Sequence, residues 1–238
     1  MITALMNLRL PIKTFCLSIF MGITMTMFSQ VKSTQRANAN TGISSSKAME
    51  YRQRFGFISV GYHSPITTGD NFMGQGLEGE SGLDFKFQIY VYKQFFLGLY
   101  TGASYFDVKD NSIVGNYNKT SLSEGYGYVG YEFLPADRLR LGVLASFYGG
   151  ARFKNHYSKS RNVFQVDRGN LSSFGVYFNY ELSSHLMVYI DYAYRTSKTD
   201  IKVAPELNDL FERGNYHSIG IGINFALGTG DLISGFID

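Results

Sequence analysis

The sequence holds no tryptophan, a single cysteine and only four prolines, and its net charge is no more than +3. Each shortage excludes something. The cysteine, Cys16, sits in the N-terminal stretch MITALMNLRLPIKTFCLSIFMGITMTMFSQ. There Arg9 and Lys13 form a short basic region, and Thr14 to Phe28 is an uncharged apolar run of 15 residues. That length suits the core of an export signal and falls short of the ~20 residues of a spanning helix. Ser29 supplies a small residue before a cleavage point at Gln30, and Met6 is a possible true start. Residues 1–29 are expected to be a signal peptide rather than a retained anchor. A lipid anchor on Cys16 is disfavoured because Lys13-Thr14-Phe15 lacks the small residues such processing wants. With the signal gone, no internal disulfide, thiol nucleophile or thiolate metal site remains. Loss of Arg9 and Lys13 also lowers the net charge to +1. Nucleic-acid binding then gets no support from global charge.

Few prolines beside 26 glycines, 18 tyrosines and 20 phenylalanines suit long strands and argue against a disordered chain. Helical period is nearly absent too. The best exception is APELNDLFER, residues 204–213, where Leu207, Leu210 and Phe211 would make one or two turns inside a loop. Residues 30–50 are polar and aperiodic, a flexible lead-in.

What the chain does have is alternation. In LDFKFQIYVYKQFFLGLY, residues 83–100, Leu83, Phe85, Phe87, Ile89 and Val91 share one parity, and Asp84, Lys86, Gln88, Tyr90 and Tyr92 the other. After Lys93-Gln94 the pattern resumes with Phe95, Leu97 and Leu99. This is a β-hairpin by period. Eight such segments are expected, near 55–62, 83–92, 95–108, 120–134, 139–153, 171–182, 186–196 and 216–227. The connections after the second, fourth and sixth are tight: Lys93-Gln94, Pro135-Ala136-Asp137-Arg138 and Ser183-Ser184-His185. The other connections are long. Strict alternation of long and short predicts an eight-stranded antiparallel up-and-down barrel with all tight turns at one rim. Greek-key sandwiches do not sort their loops this way.

Alternation alone does not say which face is wet. The polar parity mixes small residues with tyrosines and isolated charges, as in Glu124, Tyr126, Tyr128, Gly130 and Glu132. This suits the inside of a narrow barrel. The apolar parity, as in Ile219, Ile221, Ile223, Phe225 and Leu227, carries no charge and gathers Tyr and Phe toward its ends. Arg or Lys facing mid-bilayer lipid costs ~2–4 kcal/mol, so uninterrupted apolar runs fit a lipid-facing wall. The competing expectation is a secreted soluble barrel. In the first strand Phe55 and Phe57 compete with Ile58 and Val60 for the outward parity.

These patterns resemble the small eight-stranded outer-membrane barrels of OmpX and OmpA-barrel type, over roughly residues 50–227. SIGIGINF is the more specific motif: Ser218, Gly220, Ile223 and Phe225 look like that family's assembly signal. The resemblance implies insertion by the barrel-assembly machinery, and a Gram-negative outer membrane with its lipid and lipopolysaccharide as surroundings. The expected state is a monomer with both termini periplasmic. Family members often end at the final aromatic, whereas this chain continues with ALGTGDLISGFID. The expected organisation is signal 1–29, lead-in 30–50, barrel 51–228 and tail 229–238.

The expected lumen carries Asp84, Glu124, Glu132, Glu181 and Asp191 against Lys86, Arg140, Arg152 and Arg195. Near balance points to an ion-paired plug, since unpaired buried charge is costly; the alternative is a gated ion path. His63, His156, His185 and His217 are assigned to loops or rims, and no metal site or cofactor is expected. The pairs His63-Ser64 and His217-Ser218 invite comparison with barrel-borne lipid hydrolases, but adjacent strand residues face opposite sides. The third long loop, ARFKNHYSKSRNVFQVDR, holds Arg152, Lys154, Lys159, Arg161 and Arg168 against Asp167. The plain reading is a solvated loop, and the functional one is contact of Lys154, Lys159, Arg161 and Arg168 with anionic lipopolysaccharide phosphates or an acidic surface partner. The first, with Asp70, Glu78 and Glu80 among glycines, is expected to be mobile. The leading expectation for function is non-enzymatic: envelope integrity or surface interaction. The alternatives are a narrow channel and a lipid-modifying enzyme.

Overall fold

A computed structural model describes residues 52–157 and 163–234. The expected signal and lead-in, Lys159 and Arg161, and the last four residues of the tail lie outside them. The described chain runs β1 (Gly56–Thr67), α1 (Phe72–Gly76), β2 (Leu77–Tyr92), β3 (Phe95–Val108), α2 (Asn111–Val114), β4 (Lys119–Ala136), β5 (Leu139–His156), β6 (Val163–Glu181) and β7 (Leu186–Thr199). A 3-10 turn (Pro205–Leu207), α3 (Asn208–Glu212) and β8 (Arg213–Leu227) complete it. The strands form one closed antiparallel barrel in sequence order. Closure comes from β1 against β8, in register from Gly56↔Leu227 to Thr67↔Tyr216.

The tight connections form one rim and the long ones the other. Lys93 and Arg138, at the tight turns, adopt left-handed backbone with φ of 51° and 63°. At the long-loop rim the strands extend further than their apolar alternation. β2 begins at Leu77 rather than near Leu83, and β5 and β6 reach His156 and Val163. Most of the expected third loop is therefore strand. Its residues lack apolar alternation because the sheet there has left the apolar layer, and ladder hydrogen bonds hold it instead. The 204–213 segment does form a 3-10 turn and a short helix.

The first long loop differs from expectation. It contains α1, capped by Asn71, whose side chain accepts from the amides of Met73 and Gly74. Phe72 and Met73 are buried there. Phe72 stacks on Phe211 of α3 with ring centroids 5.3 Å apart and meets Phe153 edge-on at 5.7 Å. With Leu77, Phe106, Val114, Leu122 and Leu171 these rings form an apolar cover over the barrel mouth.

Segments just outside the first and last strands pack on the tight-turn rim. Gln53 Nε2 donates to Lys93 O at 2.7 Å. Leu232 and Ile233 donate their amides to Tyr90 O and Val91 O at 3.0 and 3.1 Å. The tail beyond the last strand thus folds back onto the β2–β3 turn. Asp231 pins it, accepting from the amides of Lys93 at 2.7 Å and Ser234 at 2.6 Å. Burial would raise the Asp231 pKa, but hydrogen bonds from Ser234, Lys93 and Ile233 outweigh it and hold the carboxyl below its ordinary value.

Two predictions follow from this rim. A carboxyl whose pKa is lowered by folding stabilises the docked tail fully above its ordinary pKa, and loses that effect as pH falls through the lowered one. The protection of the Leu232 and Ile233 amides, taken relative to the intrinsic exchange rate at each pH, is therefore expected to be high at pH 7 and to fall at acid pH. In D231N it should be low at both. Second, Arg138→Gly removes left-handed strain from a two-residue turn and creates an Asp-Gly pair. Urea unfolding in detergent micelles should show stabilisation of about 0.5–1 kcal/mol after the entropy of the added glycine.

Candidate functional site

The barrel's two faces have opposite chemistry. Outward residues are large and apolar: Leu83 is 60% exposed, Leu99 62% and Ile221 58%. Charged residues point inward instead, with Glu124, Glu132, Arg140 and Arg195 all buried. In the first strand Ile58 and Val60 belong to the outward set and Phe57 points in, which settles its register. Contiguous apolar surface on this scale marks contact with something other than water. No helix of the described residues is long and apolar enough to cross a membrane; the strands supply the wall.

Inside, the charges form three connected groups. Nearest the tight-turn rim, Arg140 donates to Glu132 Oε1 at 2.7 Å and to Glu181 Oε1 at 2.5 Å. Arg52 adds a second guanidinium, 3.0 Å from Glu181 Oε1, and Tyr177 donates to Glu132 Oε2 at 3.0 Å. Gly142 is needed here, since a Cβ would lie 2.0 Å from the Tyr177 ring. At mid-height Lys86 bonds Asp191 and lies 3.6 Å from Asp84 Oδ1. Tyr189 donates to Asp84 Oδ1 at 2.9 Å. Toward the long-loop rim, Arg195 donates to Glu124 Oε2 at 2.7 Å and Tyr216 bonds the other Glu124 oxygen. The Arg195 guanidinium also sits 4.5 Å above the Tyr100 ring.

Eight of the nine residues expected to form the plug are thus brought together. Arg152 is the exception: it lies on the outer surface, while Ala151 and Phe153 are buried. The cause is a β-bulge. Gly127 pairs with Tyr148 but Tyr128 with Ser146, leaving Phe147 unmatched. One extra residue reverses the parity above it.

His63 is a second correction. It is not at a rim but fully buried in the lumen. Its Nδ1 lies 3.2 Å from Asp84 Oδ2 and its Nε2 2.8 Å from Ser104 Oγ. With the carboxylate accepting from Nδ1–H, Nε2 accepts from the serine hydroxyl. Gly82 leaves the space for the ring, for a Cβ there would lie 2.1 Å from Nε2. The odd parity of the first strand (Phe57, Ser59, Gly61, His63) was the signal in the sequence, hidden by the competing phenylalanines. His217 is at the outer wall, bonded to Tyr192 Oη at 2.7 Å.

Of the other expected site residues, Ser218 and Gly220 face inward, and Ile223 and Phe225 are exposed on the outer wall. Lys154 and Arg168 lie on strands rather than in a loop. Two voids among the described residues have volumes of about 20 Å³ each, one at the apolar cover and one between Lys86, Gln88, Tyr177 and Asn224. Each is about the size of one water.

Arg140→Ala would leave Glu132 and Glu181 buried and facing one another without their shared cation, and should destabilise the barrel by about 3–5 kcal/mol in urea unfolding. Lys119→Ala removes only the exposed pairs with Glu80 and Asp107. It should change stability by about 1 kcal/mol or less.

No protein-family model matches the chain, and no curated protein does. Among solved structures it is similar to Neisserial surface protein A, at 12% identity and TM-score 0.47 over 73% of this chain and 96% of that one. It is also similar to the outer membrane protein OprG from Pseudomonas aeruginosa, at 13% and 0.46 over 74% and 98%. Ail, the attachment invasion locus protein of Yersinia pestis, gives 11% and 0.44 over 74% and 99%. At these identities and TM-scores the likenesses carry no argument about this chain, whose own architecture carries it. Closure, sorted turns, polar interior and apolar belt are together the construction of an outer-membrane β-barrel, and this chain is a transmembrane barrel of that kind.

Proposed function

We propose that the protein is a non-enzymatic component of the outer membrane, a sealed barrel that supports a structured outer rim for contacts at the cell surface. The observation that carries this reading is the filling of the lumen. An ion path needs a continuous wet route, whereas here the charges are matched to one another across strands. Arg140 serves two carboxylates, Lys86 two more, and Arg195 one carboxylate and two phenols. Aromatic rings fill the space between these groups. Tyr100 stacks on Tyr126 at 4.4 Å, and Phe96 lies edge-on to Tyr128 at 6.1 Å. An interior of this kind stiffens the wall and leaves function to the rims.

The enzyme reading has one observation in its favour. Ser104, His63 and Asp84 repeat the order of bonds in a hydrolase triad. A triad works only where a carbonyl carbon reaches the serine oxygen with donors for the oxyanion. Ser104 and His63 are both 0% exposed, so we read this trio as interior packing that satisfies a buried carboxylate.

Two measurements test the proposal. Protein inserted in planar bilayers should give no sustained conductance steps above the lipid baseline. A fluorophosphonate probe should leave folded protein unlabelled in detergent and in outer-membrane vesicles. Stable channel steps, or labelling that disappears in S104A, would overturn the corresponding half of the reading.

A further inference from the structure

The bulge that turns Arg152 outward sets it directly opposite Arg168, its register partner on β6. Both are exposed, and no carboxylate among the described residues forms an ion pair with either. Like charges directly across a ladder repel. A fold that takes an arginine out of its interior parity and sets it there leaves a place for an anion.

The surroundings narrow the choice of anion. A tilted strand crosses the apolar layer in roughly ten residues, which is the run from Leu139 to Tyr148. Arg152 and Arg168 therefore stand just beyond the lipid layer, on the long-loop side. Immediately below them the same bulge turns Phe147 and Tyr148 outward together, 66% and 80% exposed. Between Tyr148 and Arg152 the wall is floored by Gly150, beside which a Cβ would meet nothing within 4 Å. Gly150 pairs with Asn170, which adds an exposed amide. The result is an open shelf with two guanidinium groups above and two aromatic rings below.

We propose that this shelf binds a phosphate group of the lipopolysaccharide in the outer leaflet, with Arg152 and Arg168 sharing the phosphate and Phe147 and Tyr148 lying along the acyl chains. Arginine suits the task because its planar donor fork matches phosphate oxygens two at a time. At the interface an arginine costs little, about 0–1 kcal/mol, whereas deeper in the lipid the cost would be several times larger. The site concerns the outer wall and stands apart from the sealed lumen of the functional proposal.

Because the chain has no tryptophan, Tyr148→Trp gives a single reporter on the shelf. Folded Y148W in neutral detergent, titrated with lipopolysaccharide, should show a saturable blue shift of its emission. Adding Arg152→Gln and Arg168→Gln should weaken the apparent affinity roughly tenfold. Lipopolysaccharide stripped of its phosphates should bind Y148W as weakly as intact lipopolysaccharide binds the triple variant. Inorganic phosphate and phosphatidylglycerol micelles should not produce the shift. Folding of each variant is checked by heat-modifiable gel migration. Should the triple variant fail to fold, the dephosphorylated ligand tests the same claim on Y148W alone. No shift with lipopolysaccharide, equal affinity after dephosphorylation, or an equal response to phosphatidylglycerol would each overturn the proposal.

Discussion

The pairing of β1 with β8 is the contact on which the rest of the molecule depends. In hydrocarbon an unpaired backbone amide or carbonyl costs several kcal/mol, so a sheet with free edges cannot stand in a membrane. Closing the ladder from Gly56↔Leu227 to Thr67↔Tyr216 removes both edges at once. It also fixes the radius. An eight-stranded barrel has an interior just wide enough for side chains to fill, so closure decides that the inward residues must fit one another.

Two demands then fall on those residues. Their volumes must interlock, and their charges must cancel in a region remote from water. The first is met by setting glycine across from large rings, as Gly142 does for Tyr177 and Gly82 for His63. The second is met by sharing. Arg140 holds Glu132 and Glu181 together with Arg52 from the incoming chain, and Lys86 bridges Asp84 and Asp191. Such groups are worth little as net stabilisation against an apolar core, but each member is expensive to remove alone. They set one register among the many that an alternating sequence permits. Above them the rule changes: Phe72, Phe153 and Phe211 build an apolar cover, and the strands outside it carry polar and basic residues.

The β4–β5 bulge links these regions. Below Phe147, β5 obeys the alternation that its sequence shows, with Arg140 and Gly142 inside. Above it the parity is reversed, Phe153 joins the cover and Arg152 reaches the outer surface. A single unmatched residue thus serves the interior and the rim together.

Strand number, their order, the sorting of tight and long connections and most of the lumen were legible in the sequence, because period two is a local property and turn residues act locally. LDFKFQIYVYKQFFLGLY already separated Leu83, Phe85 and Phe87 from Asp84, Lys86 and Gln88. Two classes of feature were not legible. The turns at 204–213 were legible, but α1, α2 and the aromatic cover of the long-loop rim have too few residues to show a period; Phe72 finds Phe211 only when the barrel brings the first and last loops together. The partners of His63 and the side of Arg152 were hidden for a related reason. His63, Asp84 and Ser104 come from three strands, and a bulge is visible only as a mismatch between two ladders. The sequence by itself determined which residues alternate and where the chain turns back. Only closure of the barrel decided which charges meet and where the alternation breaks, because those depend on register between strands distant along the chain.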